Sequence, residues 1–241
     1  MACSGSLAGL IRVALPVVAA CALASGTSTA RATPPDEEPP RFETWSGAEA
    51  FDHIWSVYSG ASFAPFGSVR ADGFRLRAVA GYGDHGSGNA SFADLLVGYH
   101  SQIGPVTLKV LAGLTATDRQ SDGPSSLPPG TELGGKGVAE IWWNVTDRAW
   151  TSVDLSWGAP HGIYNGRMRL GWRLWPELSS GLEAGSAGSE ESDIARLGGF
   201  LRYEWASGEL SLSAGLAMDG PVSHWEGPVG PFGTFSVLMR F

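Results

Sequence analysis

From Asp72 onward the chain alternates apolar and polar residues with a period of two. Phe74, Leu76, Ala78, Ala80 and Tyr82 fall on one side, and Arg75, Arg77, Gly81 and Gly83 on the other. Val106, Leu108, Val110, Ala112 and Leu114 oppose Thr107, Lys109 and Thr115. The same holds for Met168, Leu170, Trp172 and Leu174 against Arg167, Arg169 and Arg173, and for Leu197, Leu201, Tyr203 and Trp205 against Arg196, Arg202 and Glu204. Leu210, Leu212, Ala214, Leu216 and Met218 oppose Ser211 and Ser213. A strand sends successive side chains to opposite faces, so each segment predicts a strand with one greasy and one polar face.

Soluble sandwiches alternate too, with the greasy face inward. Two features favour strands that cross a bilayer. The segments run ~10–13 residues, against the ~5–6 usual in soluble strands. Aromatic residues also gather near segment ends: Trp143, Trp150, Trp157, Trp172, Tyr203 and Trp205. There they form the expected interfacial girdles of a membrane barrel.

Turns alternate in length as well. Gly104-Pro105, Asp147-Arg148, Pro176-Glu177 and Ser207-Gly208 are tight. The stretches 84–89, 118–132, 186–193 and 220–230 are longer and rich in Gly, Ser, Pro and Asp; the short loop at Pro160-His161-Gly162 is the exception. Short turns on one rim and long loops on the other are the barrel arrangement. Counting back from Phe241 gives ten strands to Asp72. A hairpin of Trp45–Phe51 and Ile54–Ala64, with Asp52-His53 at its tip, brings the count to twelve. The expected fold is therefore all-β, one antiparallel transmembrane barrel of twelve strands, with ten as the alternative; one long strand before Asp72 would give the odd number that bacterial single-chain barrels avoid. The last segment places Phe235, Val237, Met239 and Phe241 on one face, and a terminal phenylalanine suits a signal read by the outer-membrane assembly machinery.

Upstream, Arg12 precedes an apolar run from Val13 to Ala24, and Ala30-Arg31-Ala32 fits a cleavage pattern. Residues 1–32 read as a signal peptide, since about 12 apolar residues are too few to span a bilayer as a helix. The rival reading is a lipoprotein signal ending at Cys21. Residues 33–44 form a proline-rich, acidic linker, and 45–241 the barrel. The 2 cysteines, Cys3 and Cys21, both fall in the expected leader, which leaves the mature chain without thiol chemistry.

Composition sharpens this picture. The chain has 34 glycines and 10 tryptophans, only 17% charged residues and a net charge of −8. Few charges with many glycines and aromatics suit strands in lipid, and the negative balance argues against nucleic acid as a partner. The charges that do occur sit on the polar faces: Arg75, Arg77, Lys109, Lys136, Glu140, Asp154, Arg167, Arg169, Arg173, Glu183, Arg196, Arg202 and Glu204. An Arg or Lys facing lipid at mid-depth costs ~2–4 kcal/mol, so these should line the lumen. They can form mutually neutralising ion pairs, with Asp154 and Glu183 flanking the Arg167/Arg169/Arg173 row, or a basic path for an anionic or sugar solute. Trp142, Trp175 and Phe200 are expected to point inward.

Catalytic signals are poor. His85 and Ser87 sit in a glycine-rich loop that orients neither, and His100 and Ser101, being adjacent, face opposite ways. The histidines show no metal-ligand spacing, and no glycine-rich strand-to-helix phosphate loop occurs. The expectation is a protein that is not an enzyme and has no cofactor.

Several stretches resemble the BcsS family of cellulose biosynthesis proteins: Asp72-Gly73-Phe74-Arg75-Leu76-Arg77 continuing through Ala80-Gly81-Tyr82-Gly83, then Ala93-Asp94-Leu95-Leu96-Val97-Gly98-Tyr99, Gly104-Pro105-Val106-Thr107-Leu108-Lys109, Arg169-Leu170-Gly171-Trp172-Arg173-Leu174 and Arg196-Leu197-Gly198-Gly199-Phe200. The resemblance covers most of residues 45–241. It implies an outer-membrane accessory protein of cellulose or exopolysaccharide production, in contact with outer-membrane lipid and with components of the cellulose synthase complex. It brings no catalytic residues. The residues themselves leave open a small porin for oligosaccharides or anions.

The leader reading is checked by N-terminal sequencing of the mature protein. The first residue should lie near Thr33, and a chain beginning at a lipidated Cys21 would replace this reading with the lipoprotein one.

Overall fold

The protein is described by a computed structural model, which covers residues 39–51, 54–84, 88–121, 129–190, 193–219 and 230–241. The expected leader and most of the linker lie outside the described residues. Residues 39–241 form one unit. It contains twelve strands: β1 (Phe42–Phe51), β2 (Ile54–Phe63), β3 (Gly73–Asp84), β4 (Gly88–Ile103), β5 (Val106–Ser121), β6 (Gly130–Asn144), β7 (Ala149–Gly158), β8 (Tyr164–Arg173), β9 (Leu178–Gly188), β10 (Asp193–Trp205), β11 (Gly208–Asp219) and β12 (Gly230–Arg240).

Each strand pairs antiparallel with its neighbours in the chain, and β1 pairs with β12, so the sheet is a closed barrel of twelve. The hairpin expected before Asp72 is β1–β2, with Phe51 opposite Ile54. β1 begins at Phe42, three residues before Trp45. The extra residues close the seam. The N–H groups of Arg41 and Phe42 donate to the Phe241 carbonyl, and the Phe241 N–H donates to the Phe42 carbonyl at 2.8 Å. Closure leaves no strand edge unpaired, which a sheet in hydrocarbon requires.

The two faces are sharply different. On β3, Phe74, Leu76, Ala78, Ala80 and Tyr82 are exposed while Arg75 and Arg77 are buried. Leu95, Leu114, Leu182, Leu197 and Leu216 are all more than half exposed on the outside of other strands. At the short-turn end of this apolar belt, Phe42 stacks on Phe63 at 4.6 Å, Phe74 meets Tyr99 edge-on, and Tyr203 stacks on Trp205. Trp55 meets Tyr82 near the opposite end. Trp143, Trp157 and Trp172 also point outward. Aromatic girdles on either side of an apolar band are the external signature of a membrane barrel.

Two tryptophans are not where alternation and end position were expected to put them. Trp150 is 2% exposed and lies inside the barrel, not in a girdle. It pairs opposite Asn144 and Gly171, both of which face inward. Its odd spacing from the outward Trp157 already forbids a shared face. Trp175 is exposed rather than inward, because β8 stops at Arg173 and Trp175 belongs to the turn, its N–H donating to the Leu178 carbonyl.

The strands β4, β5 and β6 absorb parts of the expected loops, reaching 16, 16 and 15 residues. Thr131 donates to Asp118 across this extension at 2.7 Å. The extension gives the β7–β8 loop something to lean on. Pro160 presses onto the inward Gly134, and the Ala159 N–H donates to the Gly135 carbonyl. His161, buried with φ of 56°, turns the chain back. The short loop is therefore folded into the mouth.

The assignment of faces is tested by charge. Leu170→Arg, on the outside, should sharply lower insertion as read by heat-modifiable gel mobility. Ser56→Arg places the same charge inside, opposite Glu49, and should insert nearly as well as the unchanged protein. Equal losses would mean that the outer face is not buried in lipid.

Candidate functional site: the charged interior

The alternation that turns leucines outward turns most strand charges inward, with Asp84 and Asp118 at the long-loop ends of β3 and β5 at outward parity, and register decides which of the inward charges meet. Arg167 pairs opposite Asp154 across β7–β8, and Arg169 opposite Glu183 across β8–β9. Both guanidinium groups close on those acids. Arg167 reaches Asp154 at 2.9 Å, and Arg169 reaches Glu183 at 2.6 Å. Glu183 is fully buried and also accepts from the Ser213 hydroxyl at 2.9 Å. Arg196 stands 3.5 Å from its other oxygen and 3.1 Å from Glu49. Arg173 takes no part in this cluster: it donates to Asn144 Oδ1 and to the Asp147 carbonyl near the short-turn rim.

A second cluster runs along the other wall. Arg77 binds Glu140 at 2.5 Å, and Lys109 stands 3.4 Å from Glu140 and 3.3 Å from Glu43. Arg240 continues from Glu43 to Glu209, and Arg202 joins Glu209 and Glu204. Lys136 pairs with the buried Asp94 at 2.6 Å. Arg75 is held by the carbonyls of Phe74, Ser68 and Ala71 and by His100.

Five of these charges were not singled out in the sequence: Glu43, Glu49, Asp94, Glu209 and Arg240. Each lies at inward parity, as Arg240 shows between Met239 and Phe241. The signal was alternation itself, but Glu43, Glu209 and Arg240 lie at strand ends with few neighbours, and Glu49 and Asp94 lie among small residues with little apolar contrast.

Several contacts join strands that are not neighbours. Glu43 on β1 meets Lys109 on β5, Glu49 on β1 meets Arg196 on β10, Arg77 on β3 meets Glu140 on β6, and Arg169 on β8 donates to Ser213 on β11 at 3.0 Å. Such bonds can close only by crossing the interior.

Aromatic rings occupy more of it. Trp142 and Trp150 stack at 4.0 Å, Phe200 packs against Trp150, and Arg202 lies over both tryptophans. Arg169 sits over Phe200, and Arg77 over Trp45. Glycine makes room for these rings. A Cβ at Gly171 would lie 2.2 Å from the Trp150 ring, and one at Gly60 would lie 2.4 Å from Trp45. The glycine excess thus serves close approach on the inner wall. A cavity of about 80 Å³ remains at the long-loop mouth, lined in part by Glu49, Phe51, Ser56, Arg196 and Phe232.

Closed antiparallel topology, an apolar exterior with aromatic girdles and a charged, crossed interior define an outer-membrane-type β-barrel. Solved structures agree on the fold. The chain is similar to the KdgM porin (12% identity, 83% of this chain and 99% of that chain, TM-score 0.52). It is similar to the KdgM porin in complex with disordered oligogalacturonate (13% identity, 83% and 99%, TM-score 0.51). It is also similar to the TodX monoaromatic hydrocarbon channel deltaS2 mutant (8% identity, 85% and 90%, TM-score 0.51). At these identities the likeness is one of fold. No curated protein matches the chain. The family described as cellulose biosynthesis protein BcsS matches residues 44–241, and the chain belongs to that family.

Removing one member of a buried ion pair strands its partner, at about 3–5 kcal/mol, whereas a half-exposed pair is worth about 0–1 kcal/mol. Glu183→Ala, which leaves Arg169 and Arg196 facing each other, should therefore destabilise the barrel by about 3 kcal/mol or more in urea unfolding from lipid. Asp154→Ala, at a more exposed pair, should cost no more than about 1 kcal/mol. Equal costs would remove Glu183 from the centre of the network.

Proposed function

We propose that this BcsS-family barrel is a non-conducting accessory component of bacterial cellulose or exopolysaccharide production, seated in the outer membrane. The observation that carries this reading is the set of ion pairs crossing the interior. Lys109–Glu43 and Arg196–Glu49 join strands that are not neighbours, and the Trp142–Trp150–Phe200 stack occupies more of the interior. A neutral glucan gains little from a lumen whose charges are already paired. Family membership supports the link to cellulose biosynthesis, and the apolar belt supports a membrane setting.

In this reading outer-membrane lipid contacts the belt, the assembly machinery reads the strand ending in Phe241, and the exposed rims are left to meet components of the cellulose synthase complex. It assigns the barrel no catalysis and no cofactor. His85 lies outside the described residues, and the buried His100 and Ser101 face opposite ways.

A small porin for oligosaccharides or anions is the second reading. The cavity at the long-loop mouth favours it, because Arg196 and Glu49 are placed there beside two phenylalanines. Single-channel recording decides between the two. The closed barrel should give silent bilayers with folded protein, and Arg169→Ala should leave them silent. Stable conductance whose ion selectivity changes in Arg169→Ala would establish the porin.

A further inference from the structure

At the short-turn end, the chain between β2 and β3 does not reverse at once. Residues 64–72 fold over the mouth, with Ala64 and Val69 buried. The Ala64 N–H donates to the Arg41 carbonyl, and the Val69 N–H and Ser68 hydroxyl both donate to the Pro40 carbonyl. Arg70 reaches across to the β10–β11 turn, where it donates to the Ala206 carbonyl at 2.6 Å.

The anchor of this strap is Arg75 on β3, which is 2% exposed. Its guanidinium donates to the carbonyls of Ser68 and Ala71, drawing the strap inward, and to the Phe74 carbonyl. Its remaining contact is His100 Nδ1 on β4, at 2.9 Å. A guanidinium has donors and no acceptor, so His100 Nδ1 must accept. The imidazole is therefore neutral, with its proton on Nε2.

Protonation would abolish that acceptor, because both nitrogens of an imidazolium donate. It would also set a second cation against Arg75 in a buried site, where charge is screened least. Every packed element bears on this balance. From β5, Lys109 is the cross-strand partner of His100, and it is shared by Glu43 of β1 and Glu140 of β6. From the strap, Asp72 accepts from the Gln102 N–H at 2.7 Å, and the backbone of Val69 faces the ring. Arg75 adjoins the imidazole directly and Lys109 is its cross-strand neighbour, while Asp72 is engaged with the Gln102 N–H and Glu43 and Glu140 with Lys109. His100 Nε2 has no hydrogen-bond partner among the described residues.

We propose that Arg75 and His100 form an acid-released latch on the strap 64–72, which closes the short-turn mouth while His100 is neutral and comes free when it is protonated. Histidine is the side chain suited to such a change near neutral pH. The latch is separate from the closed-barrel reading, because the Lys109–Glu43 and Arg77–Glu140 bridges cross the interior whether the strap is held or free.

The test uses the full chain with Cys3→Ser, Cys21→Ser and Phe66→Cys, folded in lipid, with a nitroxide at position 66. Phe66 is 74% exposed on the strap. Its spectrum should gain a mobile component between pH 8 and pH 5 and lose it on return. His100→Gln keeps a neutral acceptor at every pH and should show no change. Arg75→Gln removes the anchor and should be mobile already at pH 8, with heat-modifiable mobility confirming an intact barrel. A spectrum identical at both pH values would overturn the latch. So would the same transition in His100→Gln, or an immobile strap in Arg75→Gln. Bilayer conductance is expected to stay silent throughout, so a failed latch leaves the closed-barrel reading standing, and conductance would overturn that reading alone.

Discussion

A strand in a closed barrel has two faces and no edge, and one face of this barrel is suited only to hydrocarbon. Charge placed on that face costs ~2–4 kcal/mol for Arg or Lys at mid-depth. Charged side chains at mid-depth are thereby driven into the interior, where most meet an opposite charge, while Arg75 and Arg173 are held by carbonyls and neutral side chains. The ion-pair clusters, the inward aromatics and the glycines beneath them all follow from that confinement. Arg169 and Arg196 can coexist on one wall because Glu183 stands between them.

Confinement also explains the size of the partners. Twelve strands enclose more space than paired charges alone can occupy, and bulky groups are needed to cross it. Long side chains do so as pairs, such as Lys109 with Glu43. Rings do so as stacks, such as Trp142 on Trp150. Arginine serves both purposes, since Arg202 bonds Glu209 at 2.5 Å while its guanidinium lies over two tryptophan rings. The two mouths are handled differently. The strap 64–72 covers the short-turn end, and the folded-in β7–β8 loop narrows the other beside an open cavity.

Most of the fold was legible in the chain. Alternation marked the strands, turn length marked the rims, and parity required the hairpin before Asp72. The placement of Arg75, Arg77, Arg167, Arg169 and Glu183 on one face was legible for the same reason. Glu43, Glu209 and Arg240 were not legible because a charge near a strand end has few alternating neighbours to fix its phase, and Glu49 and Asp94 were not because the small residues around them (Ala48 and Ala50; Ala90, Ser91 and Ala93) carry little apolar contrast. Trp150 lies near a strand end like the girdle tryptophans, but its odd distance from the outward Trp157 turns it into the barrel. The strap was missed because nothing periodic marks it: Val69 is buried only because Pro40 and Arg75 are brought to it.

The sequence by itself determined the period, hence the two faces, the even strand count and the confinement of charge to one side. These are local properties, set by the extended backbone and by where turns fall. The tertiary structure decided which charges meet. Arg77 and Glu140 lie 63 residues apart, and Arg196 and Glu49 lie 147 apart, on strands that do not touch. Only closure of the barrel, through β1 on β12, brings such residues across one lumen. Pairing across a closed interior depends on strand number and stagger together, and neither is a property of any one segment.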